Sequence, residues 1–206
     1  MVGFDLDMTL IDSRYGIGAV YRALSEETGV HIDVDAVTGR LGPPVADELA
    51  NWFPPDQVER LADRYRELYP RIAIADTPLL PGVVEAFAAV RDVGGRVLVV
   101  TAKLDTSAQL HLAHLGVEAD VLVGWAWADG KRDALRRHEA VAYVGDHVAD
   151  MRAARDAPTV AVGVTTGSSS RAELVAAGAD VILADLREFS NWWEHSNLLG
   201  CRTHSR

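Results

Sequence analysis

VGFDLDMTLID, residues Val2 to Asp12, is the stretch on which the fold turns. Val2 to Leu6, apolar apart from Asp5, reads as a short buried strand. It ends in two aspartates spaced i, i+2, Asp5 and Asp7, with Thr9 two residues further on. Carboxylates are seldom fully buried unless they are paired or bind a metal. Two of them at the end of an apolar strand therefore need a reason. A strand end that turns its acids to solvent is one; a helix N-cap cluster is another. A reacting site is a third, and the rest of the chain bears on the choice.

Outward from this strand the character changes. From Ser13 to Leu79 the pattern is helical, with no convincing strand. Ser13 caps a helix running to Thr28, with Ile17, Val20, Tyr21 and Leu24 on one face, and Gly29 ends it. Pro43-Pro44 opens a helix over Val45, Leu49 and Trp52. Pro54-Pro55 opens another over Val58, Leu61, Tyr65 and Leu68. TPLLPG, residues 77–82, breaks the pattern. This insert of about 65 residues is large enough for a small all-helical cap domain. Beyond Pro81, helices alternate with strands: Arg96–Val100 (RVLVV), Val121–Gly124, Val141–Val144 (VAYV), Thr159–Val164 and Val181–Leu183. Strands that are apolar throughout and separated by helices predict an α/β fold, a Rossmann-like open parallel sheet with helices on both faces. The expected organisation is a core of residues 1–13 and 80–194, a helical cap at 14–79, and a poorly ordered tail at 195–206.

The formal net charge of −10 argues against a general nucleic-acid binder, which needs a basic face. No apolar run approaches a membrane span. The N-terminus enters the acidic strand without a basic or apolar leader, and the single cysteine, Cys201, permits no intrachain disulfide. A cytoplasmic protein is expected. Of 20 basic residues only two are lysine, Lys103 and Lys131. A compact ammonium is not equivalent to a guanidinium fork, so each lysine invites a question.

In a parallel open sheet, ligands bind beyond the carboxyl ends of the strands. Those ends carry Asp5 and Asp7 after the first strand, Thr101 after the second, and Asp146 and Asp150 after the fourth. Lys131 lies between the third and fourth. Singly, each has an ordinary explanation: Thr101 and Asp146 as helix caps, Asp150 as a first-turn acid favoured by the helix dipole. Acids, a hydroxyl and a rare lysine meeting at one edge point instead to a reacting site.

DLDMTL, the strand ending VVTAK, a later lysine and VGDHVADM resemble, in order and spacing, the four signature motifs of the haloacid dehalogenase superfamily. The helical insert resembles that superfamily's small cap. AARDAPTVAVGVTTGSSSRAELVAAGADVIL resembles its phosphoglycolate-phosphatase-like branch. Met8 stands where glycine is common, and His147 where a small or polar residue is usual. The resemblance implies a phosphatase of small phosphorylated metabolites. Asp5 would be the nucleophile and Asp7 the general acid/base. Thr101 and Lys131 would stabilise the phosphoryl oxygens. Mg²⁺ would be held by Asp5, the Asp7 carbonyl and Asp146. Asp150 would hold a metal-bound water or orient the lysine. The family pattern favours Lys131 over Lys103 as that lysine. Thr9, Arg40, Ala102, Lys103 and His147 are candidates for contacting substrate, and Asp12 and Ser13 for the hinge into the cap.

A phosphomutase is the alternative within the family. A phosphoaspartate signalling or interaction module is the alternative outside it, although such modules are smaller and lack a helical insert. A dehalogenase is disfavoured, because halide departure needs no acid/base such as Asp7. No nucleic-acid or membrane partner is expected, and the protein is expected as a monomer or homodimer. Trp125 and Trp127 flank Ala126; if extended, both rings point to one side, lining the entrance or a partner surface, and local packing is the ordinary explanation. His111 and His114 read as part of an amphipathic helix face, and GSSSR, residues 167–171, as a helix cap.

Overall fold

The computed structural model describes residues 1–198. Six parallel strands form one sheet: β1 (Val2–Phe4), β2 (Val97–Val100), β3 (Val121–Val123), β4 (Ala142–Gly145), β5 (Val160–Val164) and β6 (Val181–Leu183). Their order is β3-β2-β1-β4-β5-β6, the doubly wound arrangement expected from alternating apolar strands and helices. Val2 pairs in register with Val97 on one side and Ala142 on the other, so β1 sits at the centre of the sheet.

The helices are α1 (Arg14–Thr28), α2 (Val34–Thr38), α3 (Val45–Leu49), α4 (Pro55–Ile72), α5 (Val83–Asp92), α6 (Asp105–Leu115), α7 (Asp129–Arg137), α8 (Val148–Asp156), α9 (Arg171–Ala176) and α10 (Phe189–His195). Alternation along the strands divides the core. Phe4, Val97 and Val99 face Phe87 of α5, Leu112 of α6 and Phe189 of α10. Leu98, Val100 and Tyr143 face Leu135 of α7, Met151 of α8 and Leu174 of α9. Phe4 is the hub of the first layer, its ring 5.3 Å from Phe87 and 5.4 Å from Phe189. A third cluster lies within residues 17–74, around Val20, Leu24, Leu49 and Leu61.

The chain enters and leaves this helical insert at one place. The Asp12 amide donates to the Pro78 carbonyl at 3.0 Å, and the Leu80 amide to the Leu10 carbonyl at 2.9 Å. Gly29 ends α1 in the left-handed conformation, the C-cap role expected of it.

Four local expectations are corrected. The first strand stops at Phe4, because the amides of Thr9, Leu10 and Ile11 turn back to the Leu6 carbonyl. Helix α2, too short to show a period, was not anticipated; the Asp33 side chain caps it by accepting from the Ala36 amide. Helix α3 ends at Leu49, leaving Trp52 in the following turn. His195, placed in the tail, is the last residue of α10. The expected disorder of residues 199–206 lies outside the described residues. Among the described residues, no helix is long and apolar enough to cross a membrane.

Candidate active site

The carboxyl ends of β1, β2 and β4 bring the predicted residues together. Asp5 follows β1, and its amide donates to the Val144 carbonyl at 2.8 Å. Its carboxylate accepts from Lys131 Nζ at 2.7 Å, and the same ammonium donates to Asp150 at 2.6 Å. Lys131 is 2% exposed and Asp150 fully buried. Asp150 is fixed by its helix end. Its second oxygen accepts from the His147 amide at 3.1 Å, while His147 Nδ1 accepts from the Ala149 amide at 3.1 Å, a reciprocal cap at the start of α8.

Asp146 is buried, and Thr9 donates to it at 3.1 Å. A loop glycine presses against its carboxylate: a Cβ on Gly167 would lie 1.7 Å from Asp146 Oδ2. Gly167→Ala therefore forces the carboxylate or the loop to move. We expect kcat/KM to fall by about 100-fold, the scale of an ångström's misplacement in a reacting site. Steady-state kinetics beside a thermal melt check this, with the folded state retained.

Electrostatically this corner is rich in acid. Burial pushes the Asp5 carboxyl up to about 7, against the opposing charge of Lys131. Burial, with Asp5 and Asp150 nearby, pushes Asp146 well above the carboxylate range. Lys131 is held protonated, because Asp150 and Asp5 override the effect of its burial. One ammonium faces three carboxylates, and Asp5, Asp146 and Asp150 each offer an oxygen, all within 4.8 Å of one another. This oxygen-only, cation-poor donor set fits a hard divalent ion such as Mg²⁺.

Asp7 points elsewhere. Its carboxylate pairs with Lys103 Nζ at 3.0 Å. Burial would raise it, but the Lys103 charge prevails and holds it below the usual range. Lys103 also donates to the Tyr69 hydroxyl at 2.6 Å, and that hydroxyl lies 2.9 Å from His111 Nε2. Burial and Lys103 lower His111 to about 4, so the ring is neutral. A chain Lys103–Tyr69–His111 thus ties α4 of the insert to α6 of the core. Of the two histidines read as part of an amphipathic helix face, His111 is fully buried and His114 exposed.

Thr101 is buried and accepts from the Lys103 amide at 3.1 Å. Between these groups and the insert lies a cavity of about 120 Å³, whose wall includes Thr101, Ala102, Lys103 and Arg40. Arg40 is engaged, donating to Glu48 at 2.6 and 3.3 Å, while the Trp52 indole donates to the same carboxylate. His147 serves as a helix cap; its ring lies 5.6 Å from Trp127 and against Gly42 of the insert. Met8 has φ 59°, the left-handed region, which accounts for the advantage of glycine there. Trp125 also has positive φ, 52°, which breaks the extended alternation expected for the two tryptophans. Trp127 turns to His147, and Trp125 receives the Arg66 guanidinium 4.7 Å above its ring. Ser170 caps α9 with Glu173, as the GSSSR reading expects.

The parallel doubly wound sheet thus carries a buried carboxylate–lysine cluster at its central strand ends. The chain belongs to the haloacid dehalogenase-like hydrolase family, whose model matches residues 2–155; a HAD-hydrolase-like model matches residues 125–189. It is 32% identical over 180 residues to the tyrosine-protein kinase PtkA of Mycobacterium tuberculosis. The match covers 79% of this chain, which spans only 62% of that relative's length. A protein of Dickeya dadantii named probable phosphatase IndB is 28% identical over 208 residues, covering 91% of this chain and 90% of that one. Among solved structures, a haloacid dehalogenase-like family hydrolase from Streptococcus pneumoniae superposes with a TM-score of 0.83 at 25% identity. That match covers 93% of this chain and 97% of the other.

Proposed function

We propose that this chain is a Mg²⁺-dependent phosphatase that hydrolyses a small phosphomonoester through an aspartyl-phosphate on Asp5. The observation that carries the proposal is the buried contact of Lys131 with Asp5 and Asp150, with Asp146 within reach. Family membership and the phosphatase name of one relative support it.

In the first half-reaction an Asp5 carboxylate oxygen bonds to phosphorus as the ester P–O bond breaks. The leaving oxygen takes its proton from Asp7. In the second, Asp7 takes a proton from water as that water's oxygen bonds to phosphorus; the P–O bond to Asp5 breaks and inorganic phosphate leaves. The Lys103 pairing keeps Asp7 ionised at rest. A phosphoryl dianion beside Lys103 draws on the same ammonium and eases protonation of Asp7. The Thr101 hydroxyl and Lys131 ammonium stabilise the phosphoryl oxygens, and Asp150 orients Lys131. Asp5, Asp146 and the Asp7 carbonyl would hold Mg²⁺, which when bound offsets the negative charge of carboxylates and phosphate. The helical insert of residues 14–79 acts as a cap, hinged at Asp12 and Ser13, that excludes water from the closed site. Thr9 positions Asp146; Ala102, Arg40 and His147 border the substrate. A cytoplasmic monomer or homodimer belongs to the same proposal.

The relative named a tyrosine-protein kinase favours a second reading, in which the phosphoryl group on Asp5 passes to an acceptor hydroxyl instead of water. A phosphomutase is the same chemistry with a sugar-like acceptor. Phosphate release from a panel of phosphomonoesters, with Mg²⁺ and with chelator, decides between them. Release that requires the metal is the expected result. Phosphoprotein formed without release favours transfer, and neither product overturns both.

A further inference from the structure

Resting on the phosphatase reading above, we infer that the leaving group of the substrate is an uncharged alcohol with an aromatic or alicyclic body, not a short acid such as glycolate. The cavity has two unlike ends. Asp5, Asp7, Thr101 and Lys131 lie at the phosphoryl end. Away from them the wall is made by Ile17, Val37, Leu41 and Val45 with the rings of Tyr21 and Tyr65, and those two rings lie 5.1 Å apart. Such a surface gains by excluding water from an apolar body.

Charge points the same way. Every basic side chain on the wall already has an acid partner: Lys131 has Asp5 and Asp150, Lys103 has Asp7, Arg40 has Glu48, and Arg66 has Asp63. Arg66 keeps one buried Nε without a hydrogen bond, but its guanidinium lies over Trp125 and is already paired. A carboxylate on the leaving group would meet Glu48 and Asp7 with no unmatched cation to receive it, which is costly for a buried charge. Neutral polar groups do have partners. Among the described residues the hydroxyls of Tyr21 and Tyr65 make no hydrogen bond, and both residues line the cavity. A hydroxyl or carbonyl on the ring-bearing alcohol fits them.

The test compares kcat/KM, measured by phosphate release with Mg²⁺, for benzyl phosphate, cyclohexylmethyl phosphate, ethyl phosphate and phosphoglycolate. Enzymic aromatic or alicyclic preference should reach about 100-fold over phosphoglycolate, with ethyl phosphate between, the scale of discrimination that an apolar pocket provides. Val45→Arg, which adds an unmatched cation to the apolar wall, should raise phosphoglycolate turnover relative to benzyl phosphate by at least about 10-fold. Leu41→Lys, in the neighbouring loop, makes the same test if Val45→Arg does not fold. Phosphoglycolate preferred by the unmodified protein, or a ratio unmoved in the folded variant, overturns the inference and leaves the phosphatase reading standing. Absence of phosphate release from all four esters and from a chromogenic ester overturns that reading itself.

Discussion

Asp5→Asn lowers phosphate release by at least about four orders of magnitude, the scale of losing a covalent nucleophile. An amide oxygen keeps the shape of the carboxylate and its contact with Lys131, but it does not form the acyl phosphate. The fold should tolerate the change. Asp5 is already pushed up to about 7 by its burial, so a neutral group suits the surroundings and relieves repulsion with Asp146 and Asp150. The thermal midpoint is therefore expected to stay the same or rise in the absence of metal. Activity above about one per cent of the unmodified protein would place the nucleophile elsewhere.

Lys131→Ala is the second large effect, and it strikes stability as well as rate. It removes the ammonium that meets Asp5 at 2.7 Å and Asp150 at 2.6 Å, leaving three buried acids unopposed. Breaking a buried pair in this way costs about 3–5 kcal/mol. Loss of one preorganised donor to the phosphoryl oxygens costs about 100- to 1,000-fold in kcat. Mg²⁺ should restore much of the stability and little of the rate. Lys103→Ala should lose less activity, because its ammonium contacts Asp7 and Tyr69 and makes no bond to the Asp5 nucleophile, so the change acts only through the proton affinity of Asp7. Denaturant titration and kcat for both variants decide; the opposite ranking would make Lys103 the phosphoryl-binding lysine.

The acids were legible because each follows an apolar strand, and a parallel sheet sends all its strand ends to one edge. Asp5, Asp146 and Asp150 needed only that rule to meet. Lys131 was singled out by rarity and by the family pattern, since it lies on a helix whose local sequence says nothing of Asp5. The Lys103–Tyr69–His111 chain was illegible: Tyr69 and His111 are 42 positions apart, on helices brought together only by the docking of insert on core. The Arg40–Glu48 pair was illegible because Glu48 lies eight residues on, across a turn whose shape no periodicity reports. Trp125 does line the cavity, but its positive φ, unfavourable for a bulky side chain and invisible in composition, breaks the extended alternation on which the reading of the two tryptophans depended.

The paired backbone at Leu10–Asp12 and Pro78–Leu80 has an evolutionary consequence. Because the departing and returning strands of chain are already stitched together, the distance to be bridged stays the same whatever is threaded between them. Loop-closure entropy changes only slowly with length, so a shorter or longer excursion grafted at this junction would leave the sheet nearly undisturbed. On the proposed function, specificity can then be rewritten by exchanging one contiguous segment, while the acids and lysine at the strand ends stay under separate selection.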